Sequence, residues 1–318
     1  MRYKLKQILF SVQTILAKIL GFLVRPIPAI AQWVFTSLVS ISKISPWVSV
    51  FTAPFFFEYG RVALDRNGPL IVNHKLITGV KISLDLAEKT QRSIYSSAVY
   101  EKGLTQFVLN TLKPGDTFVD IGANVGYFTL LAASLGAQVV SIEPYDQNVA
   151  LLKQNIDLNN FKDIKILDIA IGDHEGTATL HINPLNRGGN SLLEQKGYFT
   201  DSHGYSREQI GKMYAGEVLE KKVKLTTLDS IAEEYSVTFI TILKIDVEGF
   251  EGQVIEGMKK ILSSGIAKHV LCEVSNKQTR NGILELFANA GYEYYSVDQD
   301  GKPLEKSLLG RDVVFTKT

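Results

Sequence analysis

Between Lys113 and Leu130 the chain passes from an apolar run, Thr117 to Ile121, through a glycine turn, Gly122 to Gly126, into helical spacing at Tyr127, Leu130 and Leu131. Strand, glycine turn and helix in that order make the first corner of a nucleotide-type βαβ site. Without a Cβ, Gly122 and Gly126 let the backbone bend sharply and come close to a ligand. The helix start then offers free N–H groups to a polar ligand. Asp120 stands at the strand end just before the first glycine, and an anion there suits a cationic ligand better than a pyrophosphate. The next predicted strand, Gln138 to Ile142, closes on Glu143, where such a unit holds ribose hydroxyls.

The alternation continues. Strands are predicted near 117–121, 138–142 and 164–169, with helices near 126–136 and 146–159 between them, which argues for a parallel sheet with helices on both faces. Gly176 to Ile182 and Lys222 to Thr226 read as two further strands. Between them Asn183 to Glu220 is polar and glycine-containing, the length of a functional loop. Strand and helix resume at Phe239 to Ile245, Glu251 to Leu262, Lys268 to Val274 and Arg280 to Ala290. Tyr292 to Val297 and Asp312 to Phe315 read as an antiparallel pair. Upstream, Phe55 to Leu86 alternates around Asn67-Gly68, a hairpin signal, and Ser93 to Leu112 reads as one helix.

Asp120-Ile-Gly-Ala-Asn-Val-Gly-Tyr-Phe-Thr resembles motif I of class I S-adenosylmethionine (SAM) methyltransferases, and more narrowly that of the FkbM family. The resemblance extends to Tyr100-Glu101, Lys113-Pro-Gly-Asp, Ser141-Ile-Glu-Pro, Ala170-Ile-Gly-Asp, Thr227-Leu-Asp, Leu243-Lys-Ile-Asp-Val-Glu-Gly-Phe-Glu and Cys272-Glu, and covers roughly residues 80 to 316. It implies a Rossmann-like α/β fold with a mainly parallel seven-stranded sheet, while the residues themselves read as a small β region and an apolar N-terminal helical segment ahead of it. The expected organisation is 1–57 as that segment, 58–90 as the β region and 91–318 as the methyltransferase domain.

With SAM as the cofactor, Gly122, Asn124 and Gly126 would border its methionine part and Asp120 its ammonium. Glu143 would accept from both ribose hydroxyls, and Asp168 with Ala170 and Ile171 would line the adenine side. Asp246 and Glu248 follow the fourth core strand beside the expected methyl position, and are the candidates for base or acceptor anchor, with Glu251 and Glu273 in support. Lys244 reads as a strand residue rather than a catalyst. Arg187-Gly-Gly-Asn-Ser-Leu resembles a glycine and serine loop of the family, and places Asn190 and Ser191 against acceptor hydroxyls. The resemblance implies acceptors such as sugars, polyketides or other small hydroxylated molecules, and a basic, apolar N-terminus at a membrane would fit a glycan or glycolipid acceptor. Two other readings stay open: a nicotinamide-dependent oxidoreductase, against which Asn124 stands where G-x-G-x-x-G needs its second glycine, and a non-catalytic module that keeps the fold.

Charge is unevenly spread. Residues 1–57 hold Arg2, Lys4, Lys6, Lys18, Arg25 and Lys43 and no acid, so a chain of net charge +1 is five charges negative elsewhere. That average gives no signal for nucleic acid. The longest uncharged run, Pro26 to Ser42, is 17 residues, at the short edge of a spanning helix. Basic residues spaced through apolar and aromatic sequence suit a helix lying in a membrane interface, the alternative being a helical hairpin packed on the catalytic domain or on a dimer partner. There is no clean small-residue cleavage site, so the expectation is a cytoplasmic protein in contact with a membrane periphery. The five histidines show no ligand spacing, and no metal site is expected from them. Cys272 alone excludes an internal disulfide framework, and reads as a packed strand-end residue.

Overall fold

The computed structural model describes residue 13 and residues 15–24, 27–42, 70–97, 99–183, 186–193, 219–274 and 277–317. The Asn67-Gly68 hairpin signal, the aromatic run at 55–57 and most of the loop between 183 and 220 lie outside the described residues.

Two helices lead, α1 over residues 15–24 and α2 (Pro28–Ser42). No helix among the described residues is long and apolar enough to cross a membrane. Ala17, Ala31, Phe35 and Val39 bury one face of the pair against Leu70 and Leu86. An antiparallel hairpin follows, β1 (Ile71–Lys75) and β2 (Lys81–Asp85). It turns at Gly79, whose φ is +83°, with the Leu76 N–H donating to Val80 O at 2.8 Å. Next come α3 (Lys89–Ser96) and α4 (Lys102–Thr111). The single helix expected over 93–112 is therefore two, because Glu101 sits in the left-handed region at φ 40°, ψ 57° and redirects the chain.

The core elements run β3 (Thr117–Ile121), α5 (Tyr127–Ser134), β4 (Gln138–Ile142), α6 (Asp146–Asp157), β5 (Ile164–Leu167), β6 (Ala170–Ile171), β7 (Gly176–His181) and β8 (Glu220–Thr226). Then follow α7 (Leu228–Glu234), β9 (Ile240–Ile245), α8 (Glu251–Glu256), α9 (Lys259–Ser264), β10 (Ala267–Glu273), α10 (Lys277–Asn289), β11 (Tyr292–Tyr295) and β12 (Asp312–Lys317). The seven-stranded sheet has the order β11-β12-β10-β9-β3-β4-β5, and only β12 runs against the rest. Alternate strand residues feed opposite faces. Phe118, Val139, Ile242 and Leu271 pack with α4, α5 and α6, while Val119, Ile121, Leu243 and Val270 pack with α7 to α10. Helices thus cover both faces, as the sequence led one to expect.

Two expected elements are shorter. The strand expected over 164–169 breaks after Leu167, and Ala170-Ile171 joins a separate three-stranded sheet, β6-β8-β7. The helix expected over 251–262 breaks at Gly257, where a Cβ would lie 1.9 Å from Gly172 O. Sheet order reverses direction between β3 and β9, the first core strand and a strand more than a hundred residues later. In an open α/β sheet that is where a crevice opens beyond the carboxyl ends of the strands.

Candidate active site

The glycine turn, which joins β3 to α5, is held against the ends of β4 and β9. The Gly122 and Ala123 N–H groups both donate to Ile142 O, at 2.9 and 3.1 Å. Gly122 has φ +82°, and a Cβ there would stand 1.9 Å from Asp246 O, so only glycine lets the turn close on the end of β9. Gly126, at φ +93°, is the left-handed cap of α5, and a Cβ on it would meet Leu152 Cδ1 at 2.4 Å.

Three carboxylates flank this turn. Asp120 is 1% exposed and accepts from Thr129 Oγ1 at 2.8 Å. Burial pushes its pKa up, against the pull of Lys244 and the Thr129 bond. Glu143 accepts from the Asn124 N–H at 2.9 Å and the Tyr145 N–H at 3.0 Å, with Asn148 Nδ2 at 3.3 Å. Burial nevertheless raises it to about 7. Asp246 pairs with Lys244, Nζ to Oδ2 at 2.8 Å.

Lys244 lies beside Asp120 in the β3–β9 register and is 4% exposed, with Nζ 4.9 Å from the Phe128 ring centroid. Burial lowers its pKa, but Asp246, Glu101 and Asp120 outweigh burial and raise it. It is therefore a fixed buried cation among carboxylates.

Glu101 faces the same space. Two hydroxyls fix its left-handed backbone by donating to the preceding carbonyl, Tyr100 O: Thr105 Oγ1 at 2.7 Å and the Tyr127 phenol at 3.3 Å. Its Oε2 is buried and makes no hydrogen bond of good geometry, while the Tyr100 side chain stands close enough to the carboxylate to help hold its pKa down. Burial raises Glu101 to about 7, with Lys244 opposing and Asp246 adding. On the far side Glu273 is raised to about 8 by burial and by Asp246, while Arg311 Nε, 3.3 Å away, pulls the other way.

One cavity gathers Asp120, Gly122, Asn124, Glu143 and Ala170 with Asn190, Ser191, Asp246, Glu248 and Glu273. Of the site residues singled out in the sequence, Gly126, Asp168 and Glu251 do not line it. Gly126 is turned to the α5 cap, and Asp168 falls in the exposed link after β5, because the chain leaves the main sheet there. Glu251 is buried and reaches back to the Gly249 N–H at 3.0 Å, which braces the 246–250 turn. Ser191 Oγ donates to Glu248 O at 2.8 Å, and Asn190 Oδ1 accepts from the Asn183 N–H at 2.8 Å. Cys272 is buried, as expected of a packed strand residue.

Lining residues to which the sequence reading gave no role include Tyr100, Glu101, Asn148, Arg187 and Arg311. Tyr100-Glu101 belongs to the family resemblance but carried no role there. Lys244, taken for a strand residue, is one whose ammonium also lines the cavity.

A model of the FkbM methyltransferase domain matches residues 120–294, more than half of the chain. The chain belongs to the FkbM methyltransferase family. It is a SAM-dependent methyltransferase with the Rossmann-like class I fold. Among curated relatives, methyltransferase sdnD of Sordaria araneosa is 26% identical over 207 residues, 60% of this chain and 76% of that protein. The 31-O-demethyl-FK506 methyltransferase FkbM of Streptomyces tacrolimicus is 30% identical over 165 residues, 46% of this chain and 61% of that one. A TehB-like SAM-dependent methyltransferase from Corynebacterium glutamicum aligns over 72% of this chain and 95% of its own, at TM-score 0.40 and 12% identity.

SAM is a donor-rich cation, with an ammonium, two ribose hydroxyls, an adenine amine and a sulfonium. Besides its carboxylates the cavity presents two buried oxygens without partners, Asn124 Oδ1 and Asn148 Oδ1. Buried polar atoms are ordinarily satisfied, so these fit a ligand that brings donors.

Proposed function

We propose that this FkbM-family enzyme methylates a hydroxyl oxygen of a sugar, a glycolipid or another small hydroxylated acceptor. The observation that carries the reading is the buried Oε2 of Glu101, which makes no hydrogen bond of good geometry, in a cavity that also holds the glycine turn. The printed name of the FkbM relative, which specifies an O-demethylated acceptor, agrees with it.

Bound SAM supplies an activated methyl group on a sulfonium. In this reading Asp120, Gly122 and Asn124 hold its methionine end, Glu143 its ribose, and Ala170 with Ile171 its adenine side. Asp168 keeps at most a main-chain part, since its side chain is exposed. Asp246 and Glu248 anchor the acceptor, with Asn190, Ser191 and Glu273 around it. The Lys244 ammonium already occupies Asp246, which suits it to hold rather than to take a proton. Glu101 accepts the hydroxyl proton as the oxygen gains the methyl group. Positioning supplies the rest of the rate, since the methyl group needs only alignment.

Calorimetric titration with SAM, S-adenosylhomocysteine and NAD tests the cofactor part. Both sulfur ligands are expected to bind at micromolar concentration and NAD not at all. Release of S-adenosylhomocysteine is then followed across methyl glycosides, glycolipids and macrolide alcohols. Turnover confined to amines or thiols would sink the hydroxyl reading.

A further inference from the structure

We propose that the outer face of the α1–α2 pair is a docking surface for an anionic lipid bilayer. Of the thirteen large apolar side chains exposed among the described residues, eight fall between Ile15 and Trp33. Phe22, Leu23 and Trp33 are each about seventy per cent exposed, at 72%, 68% and 68%. Apolar residues scattered singly on a surface need no explanation, but a contiguous stripe of this kind marks an interaction site.

The pair has two different apolar faces. The inner one, through Ala17, Ala31, Phe35 and Val39, is spent on Leu70 and Leu86 of the body. Phe35 also meets Tyr95 on α3, with ring centroids 6.2 Å apart. A helix fixed to the body along one face and bare along the other is placed to lie in an interface rather than to cross it. The 15 residues of α2 would span only about 22 Å of a hydrocarbon layer about 30 Å thick.

Charge selects the occupant. Lys18 is exposed within the stripe, and the first 57 residues carry six bases and no acid, against an excess of five acids elsewhere. An anionic surface attracts the Lys18 ammonium exposed beside the apolar stripe. A second copy of the chain set face to face would instead bring two such basic segments together. Docking would also bring the site near the lipid, because α3, which carries Tyr95, contributes Thr90 and Ile94 to the cavity wall.

The test is co-sedimentation of the full-length protein with phosphatidylcholine vesicles, with and without phosphatidylglycerol. Pelleting with the anionic vesicles, weakened by salt, is expected. The Phe22→Glu/Leu23→Glu double variant should bind at least tenfold more weakly while keeping the wild-type melting curve, since both side chains are exposed. Lys18→Glu, which leaves the apolar stripe intact, should weaken binding to anionic vesicles alone. The proposal fails if wild-type protein stays in the supernatant with both vesicles, or if the double variant pellets as wild type does. It fails equally if light scattering shows a dimer that the double variant splits, for then a second copy covers the stripe.

Discussion

A single oxygen, Glu101 Oε2, separates the chemistry proposed here from mere binding. Its backbone is held in a left-handed conformation that costs a non-glycine residue about 1–2 kcal/mol, and folded proteins keep such strain where the position is over-determined. Glu101→Gln preserves the shape and removes the basicity. The transfer rate is expected to fall about 10²- to 10⁴-fold. SAM should still bind, with less dependence on pH because this position no longer ionises, and the acidic limb of the rate profile, expected near 7, should disappear. A variant with wild-type rate and profile would return the proton to another group. At Gly122 backbone and space act together. Gly79 has nearly the same φ, +83° against +82°, and a methyl group added there would meet nothing within 4 Å, whereas one on Gly122 would strike Asp246 O. Gly79→Ala should therefore cost about 1 kcal/mol of backbone strain, while Gly122→Ala should cost several times that and abolish SAM binding. Equal melting temperatures for the two would show that the turn has room to move.

At the level of elements, the hairpin is tied to the site through α6. Asn155 is fully buried. Its Oδ1 accepts from the Ser83 N–H at 2.6 Å, and its Nδ2 donates to Ser83 O at 3.2 Å and to Val125 O at 2.9 Å. One amide thus clamps β2 and the glycine turn together. Asn155→Ala strands those backbone groups, and is expected to cost about 1–3 kcal/mol in urea unfolding. It should also speed hydrogen exchange along β2, and unchanged exchange there would show that the hairpin docks by its apolar contacts alone. Asn155 was invisible in the sequence because it lies in an ordinary helical run, and its partners are 72 and 30 residues away. The same limit explains Lys244 and Glu101. The main sheet was legible because five of its strands, β3, β4, β5, β9 and β10, are short apolar runs that end in a carboxylate or glycine, a local signal. The ammonium of Lys244 faces three carboxylates only after β9 has inserted beside β3, which no local pattern announces. Gly257 likewise breaks a helix for a reason held by Gly172, far upstream.

Across the whole molecule, the buried carboxylates make stability and ligand binding respond to pH in opposite senses. Burial raises Glu143 and Glu101 to about 7 and Glu273 to about 8, from an ordinary 4.5. Between 4.5 and those values the folded protein holds protons that the unfolded chain has released. The stability these groups contribute is therefore full below 4.5, and is lost as pH rises through 7 to 8. The melting temperature of the free enzyme should drop between about pH 4.5 and 8, a window set by these groups. A cationic ligand reverses the preference, because it favours the ionised carboxylates that the empty fold resists. The rise in melting temperature on adding SAM should then be larger at the alkaline end than at the acid end. S-adenosylhomocysteine keeps the ammonium, ribose and adenine but lacks the sulfonium charge, so its stabilisation should depend less on pH. If both ligands stabilise equally at both ends of the range, the carboxylates around the glycine turn are not what reads the cofactor's charge, and neutral acceptors such as Asn124 Oδ1 and Asn148 Oδ1 must carry its recognition.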